Sequence, residues 1–295
     1  MSFIETALEG KNEKERKNKA VCAVIIVITA ILLIFALLAF TICQIVNAID
    51  DNDGVTDYKI ERTEITSLDP KAVHLGPMLT LDADHSYAGG DEDYFVNLQE
   101  RTDRPKKEDG TTNAYTVYAK ADVATDMTAS ALNRMLTDFY SVIKDDNLIV
   151  FSACKTNSNQ APVFSAGTAV EFKYFTADMS KDPIDGVATY TWLYENAHTY
   201  GFIALDTDRN IFRYVGVEFA TAIKAGNDTF DSFTAKLKAA TPENPVFLTA
   251  DKTKAAYYCS IDNVQVPVNY SYTHYGDNVS GVYVVVDFLS PKTAN

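Results

Sequence analysis

From Ala20 to Val46 the chain carries no charged residue, and that run constrains the placement of all the rest. Its 27 positions are nearly all Ala, Val, Ile, Leu, Phe, Thr or Cys, with Gln44 the strongly polar exception. As a helix the run reaches roughly 40 Å, more than a hydrocarbon core of about 30 Å. Lys11, Lys14, Arg16, Lys17 and Lys19 stand just before it, and the next cation is Lys59. This bias predicts a cytoplasmic tail over residues 1–19, a membrane anchor over 20–46, and an extracytoplasmic location for the rest. A cleaved signal peptide is the competing reading. The run exceeds a usual h-region of about 7–15 residues, and Val46-Asn47-Ala48 offers only a weak cleavage site. Phe40-Thr41-Ile42-Cys43 is a poor lipoprotein box, because a small residue should precede the cysteine.

Residues 47–70 are polar and acidic, with Asp50-Asp51-Asn52-Asp53-Gly54 at their start, and read as a stalk. The acidic cluster lacks the in-register distal glutamate of a calcium loop. The formal charge of −14 argues against nucleic acid, whose phosphates require a basic patch. Cys22 and Cys43 fall in the apolar run. Cys154 and Cys259 fall beyond it, where a disulfide is chemically allowed, but two cysteines make no framework and two separate buried thiols are expected.

The folded part is expected to open near His74. Thr116 to Ala119 suits a short strand. Leu132, Met135, Leu136, Phe139, Tyr140 and Ile143 recur at three- and four-residue steps and predict a helix over 128–144, with a buried strand after it over 147–154. Tyr190 to Gly216 reads as a helix, a glycine stop at Gly201, a strand over 202–205, the turn 206–210 and a strand over 211–215. Helices are predicted over 217–224 and 230–240. Beyond residue 242 the composition turns to Val and Tyr, with strands predicted over 246–249, 255–261, 264–268 and 282–288. Asn227, Asn269 and Asn278 head Asn-x-Ser/Thr sequons, which suggest exposed loops.

Several segments together resemble the VanY-like D-alanyl-D-alanine carboxypeptidases. Trp192-Leu193-x-Glu195-Asn196-Ala197-x-x-Tyr200-Gly201-Phe202 is similar to the segment before their catalytic strand. Arg213-Tyr214-Val215-Gly216-x-Glu218-Phe219-Ala220 is similar to the segment after their last zinc ligand. Gly76 to Leu81 with Asp82 to Tyr87 resembles their opening strand and turn. The resemblance covers roughly 74–238, plus the C-terminal strands. It implies an α+β fold, with a small antiparallel sheet and flanking helices over 71–241 and a C-terminal β extension over 242–295.

The resemblance also implies a zinc site, and here the sequence departs. A hydrolytic zinc needs three protein ligands, an open position for water and a nearby carboxylate. The family's Ser-x-His-x-x-Gly-x-Ala-x-Asp matches Pro162 to Glu171, which puts Phe164 at the histidine and Glu171 at the aspartate. Its Glu-Pro-Trp-His matches Asp208 to Ile211, which leaves a carboxylate at Asp208 and an aliphatic side chain at Ile211. No metal is therefore expected. The family's Ser-Gly-Tyr-Arg-Ser…Gln, which holds the substrate carboxylate, matches Ser152 to Thr156 with Gln160 kept. Lys155 retains the charge but not the two-pronged fork of arginine, and reads equally as a surface lysine beside a turn. The histidines are His74, His85, His198 and His274. Only Glu195 with His198 has helical metal spacing, a weak signal. No Ser-His-Asp or Cys-His signature and no glycine-rich phosphate loop is present.

Three functions remain open at this point. One is a membrane-anchored pseudoenzyme that binds peptidoglycan stem peptide or an envelope protein through Lys155, Gln160 and Asp208. The second is an active carboxypeptidase whose metal site is rebuilt from Glu171, Asp208 and a distant histidine. The third is a structural ectodomain that recruits a protein through its C-terminal strands.

Overall fold

Thr125 fixes the start of the longest helix. Its hydroxyl accepts the Thr128 N–H at 3.2 Å, and Asp126 places a negative charge in the first turn, where the helix dipole favours it. Helix α1 therefore runs Asp126–Ile143, two residues ahead of the periodic pattern, and ends where Lys144 turns left-handed at φ 59°. The computed structural model describes residues 58–87, 89, 95–121, 123–154 and 161–292. The apolar run at 20–46 and the acidic stretch at 47–57 lie outside the described residues, as do Lys155 and Gln160. Among the described residues no helix is long and apolar enough to cross a membrane.

The apolar stripe of α1 covers one face of a six-stranded sheet. Its strands lie in the order β3 (Thr116–Lys120), β5 (Leu148–Ser152), β6 (Ala169–Phe175), β9 (Ile211–Tyr214) and β8 (Phe202–Ala204), with β7 (Lys181–Pro183) also paired to β6. Leu132, Met135, Leu136 and Phe139 of α1 share a core with Val150, Val170, Phe172, Phe202 and Phe212 of the sheet. Tyr190 and Leu193, which open the short helix α2 (Thr191–Asn196), close that core. The sheet is mixed, which corrects the expectation of an antiparallel one, because β3 pairs with β5 in parallel. The chain between them contains β4 (Val123–Thr125) and α1, and a helical crossover of this kind brings two strands together in parallel. β4 itself pairs with β2 (Phe95–Asn97).

The C-terminal strands build a second sheet in the order β10 (Val246–Phe247), β11 (Lys254–Ser260), β14 (Gly281–Pro291) and β13 (Tyr270–Gly276). β13 is a strand that sequence patterning missed, because its tyrosines alternate with Ser, Thr and His on a half-buried edge. Helices α3 (Val217–Gly226) and α4 (Phe230–Ala239) pack on this sheet. Phe219, Ile223, Phe233 and Leu237 meet Ala256, Tyr283 and Val285, and the same cluster holds Met78, Ile203 and Val215. The β extension thus shares a core with the helices that come after β9. Cys154 and Cys259 are two separate buried thiols.

Residues 58–70, expected as stalk, belong to the compact unit that begins at Tyr58. Within them β1 (Thr63–Thr66) pairs antiparallel with β12 (Val264–Pro267), and the Tyr58 ring stacks on Phe288 at 5.2 Å. A short polar strand gives no local signal when its partner, as for Thr63 and Gln265, lies 202 residues away.

The N-terminal segment is latched onto the β13–β14 hairpin. Gly276 N–H donates to Leu75 O at 2.6 Å and Asn278 N–H to Val73 O at 2.7 Å. His74 Nδ1 meets Asn278 Oδ1 at 2.8 Å, and Asn278 Nδ2 donates to Thr80 O at 3.0 Å. Asn278 is only 5% exposed, so of the three sequons this one is buried inside the latch. A Cβ on Gly276 would fall inside the van der Waals radius of Val73 O, a backbone atom with no rotamer to yield. Gly276→Ala is expected to cost about 3 kcal/mol, the upper range for overpacking, seen as a lower urea midpoint. An unchanged midpoint would mean that the latch is not closed in solution.

Candidate functional site

Pleating sorts the residues of β6 and β9 onto two faces. Val170, Phe172 and Phe212 point into the core under α1. The register pairs Ala169 with Arg213 and Glu171 with Ile211, so these four share the opposite face. Two of the three family metal positions are therefore direct cross-strand neighbours. The third, Phe164, lies in a 3-10 turn over Pro162–Phe164 that leads through Gly167 into β6. Gly167 takes φ 65°, and a Cβ there would run into the Phe95 ring, so glycine is required for the turn to deliver Phe164 beside β6.

The side chains at these positions are not a zinc donor set. Phe164 is 8% exposed and Ile211 is half-buried, and neither side chain carries a metal-donor atom. Glu171, 19% exposed, faces the Lys173 ammonium at 3.6 Å. Lys173 in turn stands 4.0 Å from the centroid of the Phe151 ring. A lysine thus supplies the positive charge beside this carboxylate. Asp208 sits in the exposed turn between β8 and β9, and its Oδ1 accepts from Asn210 N–H at 3.0 Å and Asn210 Nδ2 at 2.9 Å. Among the described residues no three His, Cys, Asp or Glu side chains converge to hold a metal ion. The residues present at these three positions do not fit zinc.

The histidines serve elsewhere. His74 holds the latch, and His85 Nδ1 meets Asp82 Oδ1 at 2.8 Å. Burial, with Lys224 nearby, lowers the pKa of His198, and burial lowers that of His274. Lys155 and Gln160 lie outside the described residues.

A cavity of about 470 Å³ opens on the same sheet face. Its floor is Arg213, and its walls are Val163, the turn at Leu205 and Asp206, the segment Thr80–Asp82, and Phe230, Asp231 and Thr234 of α4. Arg213 is 3% exposed. Its Nη2 donates to the carbonyls of Pro77 and Leu79, its guanidinium lies 4.0 Å from the Phe230 ring centroid, and its Nε has no hydrogen-bond partner. Burial pulls its pKa down to about 10, against the field of Asp231, so it is charged at neutral pH. Sequence reasoning placed Arg213 in a framework motif and gave it no role. It also passed over Lys173, which the two-residue alternation from Glu171 puts on the same face.

No protein-family model and no curated protein sequence matches the chain. Solved structures do. The vancomycin resistance D,D-dipeptidase VanXYg, in complex with a D-Ala-D-Ala phosphinate analogue, aligns at TM-score 0.57 and 16% identity over 77% of this chain and 99% of its own. The LD-carboxypeptidase LdcB (TM-score 0.37, 14% identity, 60% of this chain and 95% of its own) and VanYB in complex with D-alanine-D-alanine (0.36, 15%, 55% and 99%) are more distant. Identity at this level speaks to architecture and not to activity, and the architecture this chain shares is that of the D,D-dipeptidase VanXYg.

Proposed function

We propose that this chain is a membrane-anchored, extracytoplasmic protein of the D,D-peptidase fold that binds a cell-wall stem peptide, or a cell-envelope protein, without hydrolysing it. One observation carries the reading. Where the family holds a metal, this chain has Phe164, Ile211 and a Glu171–Lys173 ion pair, which leaves no group able to activate water as a zinc does. The stem peptide is favoured as ligand because VanXYg, of the same fold, was solved with a D-Ala-D-Ala analogue. Lys155, Gln160 and Asp208 are the proposed lining residues. The anchor rests on the uncharged run Ala20–Val46 and the cations before it.

The test is a titration of the full chain in detergent with a pentapeptide ending in D-alanyl-D-alanine, with released D-alanine assayed in parallel. Saturable binding without release, weakened about tenfold or more in Lys155→Ala, is expected; tenfold is the scale of one lost charge-assisted contact. Release of D-alanine would overturn the proposal in favour of a rebuilt hydrolytic site. Neither binding nor release, with crosslinked partners that depend on residues after Pro245, would leave a structural ectodomain.

A further inference from the structure

Among the described residues Arg213 is a buried cation with no ion-pairing carboxylate. Its acceptors there are two backbone carbonyls. A guanidinium taken out of water and left without a counter-charge is costly unless something else neutralises it. Arg213 is also the floor of a cavity of about 470 Å³, a volume that an amino acid or a dipeptide would occupy. The rim has the opposite sign. Asp206 and Asp231 line the same cavity, are exposed, and have neither an ion pair nor a side-chain hydrogen bond among the described residues. The other charged groups there are already engaged. Asp82 accepts from His85 and from two backbone N–H groups, and Lys238 pairs with Asp277 at 3.2 Å.

The charge pattern selects the ligand. A doubly charged anion such as phosphate would meet the carboxylates of Asp206 and Asp231 on entry. A simple cation would be held at the rim and repelled by the floor. A molecule with a carboxylate at one end and an ammonium at the other satisfies both. The geometry points to a binding site for a small zwitterion of amino-acid or dipeptide size, with its carboxylate on Arg213 and its ammonium between Asp206 and Asp231. Phe230 and Leu205 offer apolar contact for a short side chain. The residues assigned to the zwitterion, Arg213, Asp206 and Asp231, are none of those assigned to the stem peptide, so neither proposal requires the other.

Calorimetric titration of the full chain in detergent tests it, with glycine, D-alanine, L-alanine and alanyl-alanine as probes. Acetate and methylammonium serve as the two half-ligands, and inorganic phosphate as the competing anion. At least one amino acid or dipeptide is expected to bind saturably, and each half-ligand at least about tenfold more weakly. Asp206→Asn with Asp231→Asn is expected to reduce zwitterion binding to the level of acetate while leaving acetate unchanged or tighter. Arg213→Gln is expected to abolish both. Because Arg213 also holds the carbonyls of Pro77 and Leu79, that variant is open to misfolding, and the exposed aspartate pair then decides. No saturable binding by any probe, acetate binding as tightly as alanine, or phosphate binding more tightly than either would overturn the assignment. Stem-peptide binding is titrated separately, so either site can fail alone.

Discussion

Asp277→Ala is expected to destabilise the fold by about 2–4 kcal/mol, from the cost of unmade buried hydrogen bonds and a broken buried ion pair. Asp277 is fully buried in the β13–β14 turn. Its Oδ1 accepts the N–H groups of Val279, Ser280 and Gly281, each at 2.9 Å. Its Oδ2 takes the Tyr258 hydroxyl at 3.0 Å and the Lys238 ammonium at 3.2 Å. Its own carbonyl accepts the Thr80 N–H at 2.9 Å, which continues the latch into the wall of the Arg213 cavity. Truncation strands these donors. Val279 and Ser280 are exposed enough to recover water and Lys238 is 39% exposed, so the cost stays below that of a wholly buried pair.

The same carboxylate makes the effect depend on pH. Burial works to raise its pKa, but the N–H groups of Gly281, Val279 and Ser280, with Lys238, outweigh burial and hold it below the ordinary value of 3.8. A group whose pKa is depressed by folding contributes fully above its unfolded value and loses that contribution as pH falls through its folded value. The stability gap between the parent chain and Asp277→Asn should therefore be constant near neutrality and shrink below about pH 4. Urea unfolding at a series of pH values measures it. A gap of the same size at neutral pH and at about pH 3 would show that hydrogen-bond shape, and not charge, is what the turn requires.

The sequence was most legible where contacts are local or where a motif fixes a register. Helix α1 was readable from its apolar stripe, and Gly201 ended its helical segment with φ 91°. The matched motif placed Glu171 and Ile211 on a site whose two positions prove to be cross-strand partners. What escaped depended on distance along the chain. β1 looked like stalk because its partner strand is at the other end of the domain. The resemblance implied an antiparallel sheet, but β3 pairs in parallel because pairing direction is set by the crossover and not by the strand's own residues. Asn278 looked like an exposed sequon because its side chain is satisfied by the carbonyls of Thr80 and His85, far upstream. Arg213 is the sharpest case. Its neighbours Val215 and Gly216 belong to a motif that reads as scaffold, yet the cavity above it is assembled from α4, the 80–82 segment and the β8–β9 turn. No single stretch of sequence contains that arrangement.

Placing zinc ligands at Phe164, Glu171 and Ile211 should convert this face of the sheet into a zinc site. The chain with Phe164→His, Glu171→Asp and Ile211→His, together with Lys173→Gln, is expected to retain about one zinc per chain after dialysis, the stoichiometry of a three-ligand site with an open position. The parent chain is expected to retain none at these positions. Facing residues of an antiparallel pair carry their Cβ atoms about 4.5–5.5 Å apart, and Glu171 and Ile211 are such a pair. That spacing lets an aspartate and a histidine converge on one ion at about 2.0–2.2 Å each. The fourth substitution matters because the Lys173 ammonium, 3.6 Å from Glu171, would repel a dication entering beside that carboxylate. The three ligand changes without it should bind zinc more weakly, and that ordering isolates the contribution of the lysine charge beside residue 171. If the fourfold variant unfolds at the parent midpoint yet takes up no zinc, the three positions no longer converge, and a lost metal site ceases to explain this face. If the parent chain itself holds about one tightly bound zinc, the ligands lie elsewhere and the non-hydrolytic reading of the cleft falls with them.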